Sequence, residues 1–139
     1  MFGQPGNIKV EVERYQNIVL PGVSKPYRNM WNLETDVVAM DLLEICAEKI
    51  RAVSQQARNR DFYDLDFLLN EQNVQFEKAT AVLKQKEIRS PVSAANITRN
   101  WSVAKEQMTR DLNSIYCAEA AENRLIEEMI GRRRFEEIK

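Results

Sequence analysis

Histidine does not occur anywhere in the 139 residues. Its absence excludes histidine general bases, histidine triads and the commonest metal ligand, leaving carboxylates, lysine and tyrosine for any catalysis. Cysteine is almost as scarce. Cys46 and Cys117 stand far apart, each inside a helical pattern and neither in a CxxC pair, so both are expected as reduced, buried thiols. Only 4 glycines and 4 prolines occur beside 44% apolar and 29% charged residues, which argues for a regular, mainly helical chain and against disorder. Neither charge sign dominates: 20 basic and 21 acidic residues leave a net charge of −1, so any contact with nucleic acid or membrane has to be local. No apolar run is long enough to span a bilayer, and the opening MFGQPGNIKV has neither a basic n-region nor an apolar h-region. A cytoplasmic protein is the expectation, and the length suits one domain over residues 1–139.

The chain divides by periodicity into a strand and loop region, 1–41, and a helical bundle, 42–139. IKVEVE, residues 8–13, alternates strictly, with Ile8, Val10 and Val12 on one face and Lys9, Glu11 and Glu13 on the other. Residues 17–32 carry Pro21, Gly22, Ser24 and Pro26 and read as a loop. TDVVAM then offers a short strand, with Asp41 placed to cap the first helix. Helices are predicted at 42–57, 61–69, 72–88, 94–116 and 118–135, with the firmest break at Ser90/Pro91. Gly131 is a point at which the last helix could stop, leaving RRRFEEIK as a charged tail. The predicted fold is mainly α: about five helices preceded by one or two short strands.

On a helical wheel of about 100° per residue, Lys49 falls within the apolar stripe of the first helix. Leu42, Ile45, Cys46, Ala52 and Val53 flank it, while Glu44, Glu48, Arg51 and Gln55 take the other side. A lysine there loses hydration unless it snorkels out, lowers its pKa or meets an anion. Asp61 and Asp64, three apart on the second helix, supply anions, and Asp64 is expected to turn inward with Leu65 and Leu68. A Lys49–Asp64 contact is either a buried ion pair pinning two helices or part of a functional site. Glu11 and Glu13 are either a solvated strand face or oxygen ligands for Mg²⁺.

The stretch LLEICAEKIRAVSQQARNRDFYDLDFLL closely resembles the C-terminal motifs of AbiEii-type nucleotidyltransferases, toxins of bacterial abortive-infection and toxin–antitoxin systems. A helix of the form L-x-E-x-x-A-E-K-x-x-A stands at Leu42 to Ala52, and R-D-x-x-D-L stands at Arg60 to Leu65. IKVEVERY resembles the family strand of the form h-K-h-E/D-h, and NWSVAKEQM its late helix with a tryptophan, here Trp101. The family's nucleotide-binding half, a G-S motif followed by D-x-D, has no counterpart in this sequence. The resemblance therefore implies the C-terminal part of such an enzyme, whether a truncated gene, a split partner or an excised domain, inactive until that half is supplied. It implies Lys49 at the NTP phosphates, Asp64 or Asp61 orienting the lysine, Glu11 as a metal carboxylate, and Arg60 either neutralising Asp61 or facing a phosphate. Mg²⁺ and NTP are expected only in the completed enzyme, with RNA as an acceptor.

The competing expectation is a non-catalytic helical interaction module that binds an antitoxin, a homologue or the upstream half, or forms a homodimer through the unpaired edge of residues 8–13. A direct RNA contact through Arg132, Arg133, Arg134 and Lys139 stands against a simple solvated helix end followed by Glu136 and Glu137.

Overall fold

The computed structural model describes residues 17–86, 90–111, 123–133, 135, 137 and 138. The strand expected at 8–13, Glu11 and Cys117 lie outside the described residues. Within them the architecture is mainly α, with a two-stranded antiparallel sheet ahead of the helices.

The sheet corrects one sequence expectation. Strand β1, Val23–Arg28, lies inside the segment read as a loop, and it pairs with β2, Glu34–Ala39, the strand anticipated at TDVVAM. Pro26 misled the reading because proline cannot donate to a ladder. Here it faces Asp36, and alternation from the Asn29–Leu33 hydrogen bond puts that pair at a site where backbone groups point away from the partner strand. The hairpin tolerates the missing N–H for that reason. Asn32 lies in the five-residue connection 29–33 at a left-handed φ of 59°. The side-chain oxygen of Asn29 accepts from the N–H groups of Trp31 and Leu33, both at 3.0 Å.

Helix α1, Leu42–Gln55, begins where expected, capped by Asp41, whose carboxylate accepts from Leu43 N–H at 2.8 Å. Its other end is closed from a distance. The side-chain amide of Asn100 donates to the carbonyls of Val53 and Ser54 at 3.0 and 2.9 Å, two groups that no residue of α1 can reach. Helix α2, Asn59–Asp66, runs without a break at Asn70 into a π-helical turn, Phe67–Glu71, closed by Gln72 N–H to Phe67 O at 3.0 Å. That wider turn keeps both Leu68 and Leu69 in the core. Helix α3 is Phe76–Leu83, α4 is Ala94–Asp111 and α5 is Asn123–Arg132.

Helix α1 is central: α2, α3 and α4 all pack on it, and α5 packs on α2 and α4. The core is built from Cys46, Ile50, Val53, Phe62, Leu65, Leu83, Ile97 and Ile126, with Phe62 tilted against Trp101 at 5.1 Å. The charged tail expected after Gly131 is instead docked. Gly131 lies within α5; Phe135 is buried edge-on to Phe76, and Ile138 exchanges two backbone hydrogen bonds of 2.9 Å with Val92. Two apolar residues spaced three apart among the charges hold it down. The hairpin strands pack chiefly on one another, and the tip residues Met30 and Trp31 are exposed.

Candidate functional site

Two lysines of the bundle sit among carboxylates of α1 and α2, in different surroundings. The buried stripe of α1 is Cys46, Ala47, Ile50, Val53 and Ser54, centred on Ile50. Lys49 lies about 100° round the helix from that centre, at the edge of the stripe and not in its middle. Leu42, expected in the stripe, is exposed at the first position of the helix.

The Lys49 ammonium meets both aspartates of the next helix, Asp61 Oδ1 at 2.9 Å and Asp64 Oδ2 at 2.6 Å. The i,i+3 spacing on α2 turns both carboxylates to one face, and the short connection from Gln55 to Asn59 returns that face to α1. The inward partner is Asp61, whose side chain is 9% exposed; Asp64, expected to turn inward, is 52% exposed. Asp61 lies next to Phe62 and one turn before Leu65, both fully buried, which draws it in. Burial alone would lower the Lys49 pKa, but the hydrogen bonds and charges of Asp61 and then Asp64 outweigh it and hold the ammonium above its ordinary value. Arg60 is exposed and makes no ion pair with Asp61 among the described residues, so of its two expected roles the first does not occur.

The second cluster was not anticipated. Glu44, placed by the wheel on the solvent side with Glu48, is fully buried. Its carboxylate accepts from the N–H groups of Leu20 at 2.9 Å and Val19 at 3.2 Å and pairs with Lys86. Lys86 also contacts Glu48 Oε1 at 2.8 Å and donates to the carbonyl of Asn17 at 2.8 Å. Burial would push the Glu44 carboxyl up, yet the Lys86 hydrogen bond and the two backbone donors hold it below its usual value. The N-terminal segment 17–20 is thereby tied to α1 and to the end of α3. The available signal was the pair Glu44 and Glu48, one turn apart on α1, though nothing local to them names a lysine about forty residues downstream.

A lysine ammonium has three donors. Lys86 spends all three, on Glu44, Glu48 and Asn17, and its side chain is 2% exposed. Lys49 spends two, on Asp61 and Asp64, and its side chain is 26% exposed. One lysine is closed off; the other is partly exposed and has two partners for its three donors among the described residues.

Among the described residues no group of three or more histidine, cysteine or carboxylate side chains is arranged to hold a metal ion. Cys46 is a core thiol, as expected, with burial pushing its pKa up to about 12 against a small opposing pull from Arg133. No described helix is long and apolar enough to cross a membrane.

Comparison with known proteins returns one family. No curated protein and no solved structure matches this chain. The model of the nucleotidyl transferase AbiEii toxin, Type IV TA system, matches residues 2–137, and the chain therefore belongs to the AbiEii family.

Proposed function

We propose that the chain is the C-terminal part of a nucleotidyl-transferring toxin and that Lys49 contacts the phosphates of a bound NTP. The observation that carries this reading is the partly exposed ammonium of Lys49, with two carboxylate partners for its three donors among the described residues. Nucleotidyl transfer needs fixed positive charge at the phosphates, and an ammonium held by two carboxylates costs little reorganisation when the phosphate arrives. Asp61, buried, orients the lysine; Asp64, half exposed, is the partner that can release it. Arg60 is free to face a phosphate.

The family implies Mg²⁺, and the donor set does not fit that ion as it stands. Asp61 and Asp64 both spend a carboxylate oxygen on Lys49, and no third carboxylate joins them among the described residues. Metal ligands would come from a D-x-D that follows a G-S motif, a combination this sequence lacks because its Asp64-Leu65-Asp66 follows no G-S, and from Glu11; on this reading the chain alone is catalytically incomplete. In an assay with Mg²⁺, labelled NTP and RNA, the 139-residue chain should give no transfer, and adding a polypeptide with the G-S and D-x-D half should restore it. Transfer by the chain alone would refute the incompleteness.

The exposed hairpin favours a second reading, a protein-interaction module. A two-stranded ribbon is marginal in water, and Met30 and Trp31 are unlike ordinary surface residues. The Type IV system named for the family implies an antitoxin partner; the partner tested first is a second copy. Light scattering should show a dimer that Trp31→Ser converts to monomer, and a monomeric parent at high concentration would sink this reading.

A further inference from the structure

We propose that residues 17–20 form a strap that opens as a unit while the helical bundle stays folded, with the buried Glu44–Lys86 pair as the latch that holds it shut. The proposal does not rest on the nucleotidyl-transfer reading.

Three backbone groups of the strap end on this one pair. The Glu44 carboxylate accepts from Val19 N–H at 3.2 Å and from Leu20 N–H at 2.9 Å, and Lys86 donates to the Asn17 carbonyl at 2.8 Å. Lys86 reaches Glu44 from just beyond the end of α3, so the latch ties the strap to two helices at once. The strap in turn covers what holds it. Glu44 lies about 120° round α1 from Ile50, the centre of the buried stripe, where a helix residue is ordinarily wet. It is nevertheless fully buried, because the strap and Lys86 close over it.

The chemistry of the latch makes opening local. With the strap lifted, Glu44, Lys86 and Glu48 keep one another and gain water, which relieves the desolvation cost that the closed state imposes on them. The apolar loss is confined to Val19 and Leu20, which are only partly buried and lie against a core that Ile50, Phe62, Leu65 and Leu83 fill. A segment with so little buried apolar surface opens at a lower free energy than the fold as a whole. The opening also reaches the hairpin. Only Pro21 and Gly22 separate the strap from β1, so a lifted strap frees the β1 end of the hairpin, whose β2 end runs into α1 through Met40 and Asp41.

Amide hydrogen exchange of the full chain, read by NMR across low urea concentrations, tests this. The Val19 and Leu20 amides should be protected about tenfold or more less than those of Ile50 and Leu83, and their exchange should respond little to urea, whereas Ile50 and Leu83 should follow global unfolding. The double change Glu44→Leu with Lys86→Met removes the latch without stranding either charge. It should lower the protection of Val19 and Leu20 by a further factor of about ten or more relative to Ile50 and Leu83. Strap amides that exchange with the protection and urea dependence of Ile50 and Leu83 would overturn the strap, and a double variant that changes strap and core protection equally would overturn the latch.

Discussion

Lys86→Met removes all three bonds of the buried ammonium at once. Glu44 would keep only the N–H groups of Leu20 and Val19, Glu48 would keep Arg51, and the Asn17 carbonyl would lose its side-chain donor. Breaking a buried pair by removing one partner costs about 3–5 kcal/mol, and an orphaned carbonyl adds about 1 kcal/mol or more. The methionine recovers part of this, because it carries no desolvation penalty, so a net loss of roughly 3–4 kcal/mol at neutral pH is expected. The loss should also depend on pH. In the parent, the Glu44 pKa is depressed on folding, so its contribution is present above the unfolded value near 4.5 and is lost as pH falls through the folded value. In the variant, burial without Lys86 raises that pKa, so acidification neutralises the stranded carboxylate and the difference from the parent shrinks. Urea unfolding followed by circular dichroism at neutral and mildly acidic pH measures both quantities. A loss under about 1 kcal/mol, or one that stays constant with pH, would refute the claim that this network is closed and buried.

Lys49→Met should cost less, roughly 1–3 kcal/mol, because only Asp61 is stranded in the interior while Asp64 is free to hydrate. A double-mutant cycle should give Lys49 a larger coupling to Asp61 than to Asp64, and the reverse order would contradict the burial assigned here. The Lys49 pKa is raised on folding, so its contribution is fully present below 10.5 and is lost as pH climbs through the folded value; titration of stability at alkaline pH should show that decline. Asn100→Ala leaves the Val53 and Ser54 carbonyls without their side-chain donor and should cost about 1–3 kcal/mol, read by thermal unfolding, with no loss meaning that water replaces the amide. Cys46 should resist a thiol reagent in the native state and react only in denaturant; rapid native labelling, mapped by mass spectrometry, would show that it is not a core residue.

The sequence revealed whatever depended on neighbours close along the chain. Asp41 as a cap, the helical period of α1, and a lysine of α1 facing aspartates of α2 all follow from spacing and one short connection. Which aspartate turns inward did not follow, because the wheel fixes the shared face of Asp61 and Asp64 but not how closely α1 approaches each. The Glu44–Lys86 pair was illegible for a related reason. A buried glutamate looks like a surface glutamate until α3 delivers an ammonium to it and residues 17–20 deliver two N–H groups. Pro26 hid β1 because the reading weighed the proline as a breaker, whereas an outward position in a two-stranded ribbon does not need its N–H. The docked end of the chain was read as a tail because Phe135 and Ile138 are outnumbered locally by charge, although two apolar residues were enough to hold it.

The central claim is that Lys49 works on a ligand while Lys86 works on the fold. It is tested most directly by comparing Lys49→Gln and Lys86→Met in the enzyme completed by the nucleotide-binding half, with transfer measured per folded molecule. The account predicts that Lys49→Gln folds and transfers no nucleotide, while Lys86→Met unfolds readily but transfers at close to the parent rate wherever it remains folded. Full transfer by Lys49→Gln would contradict it.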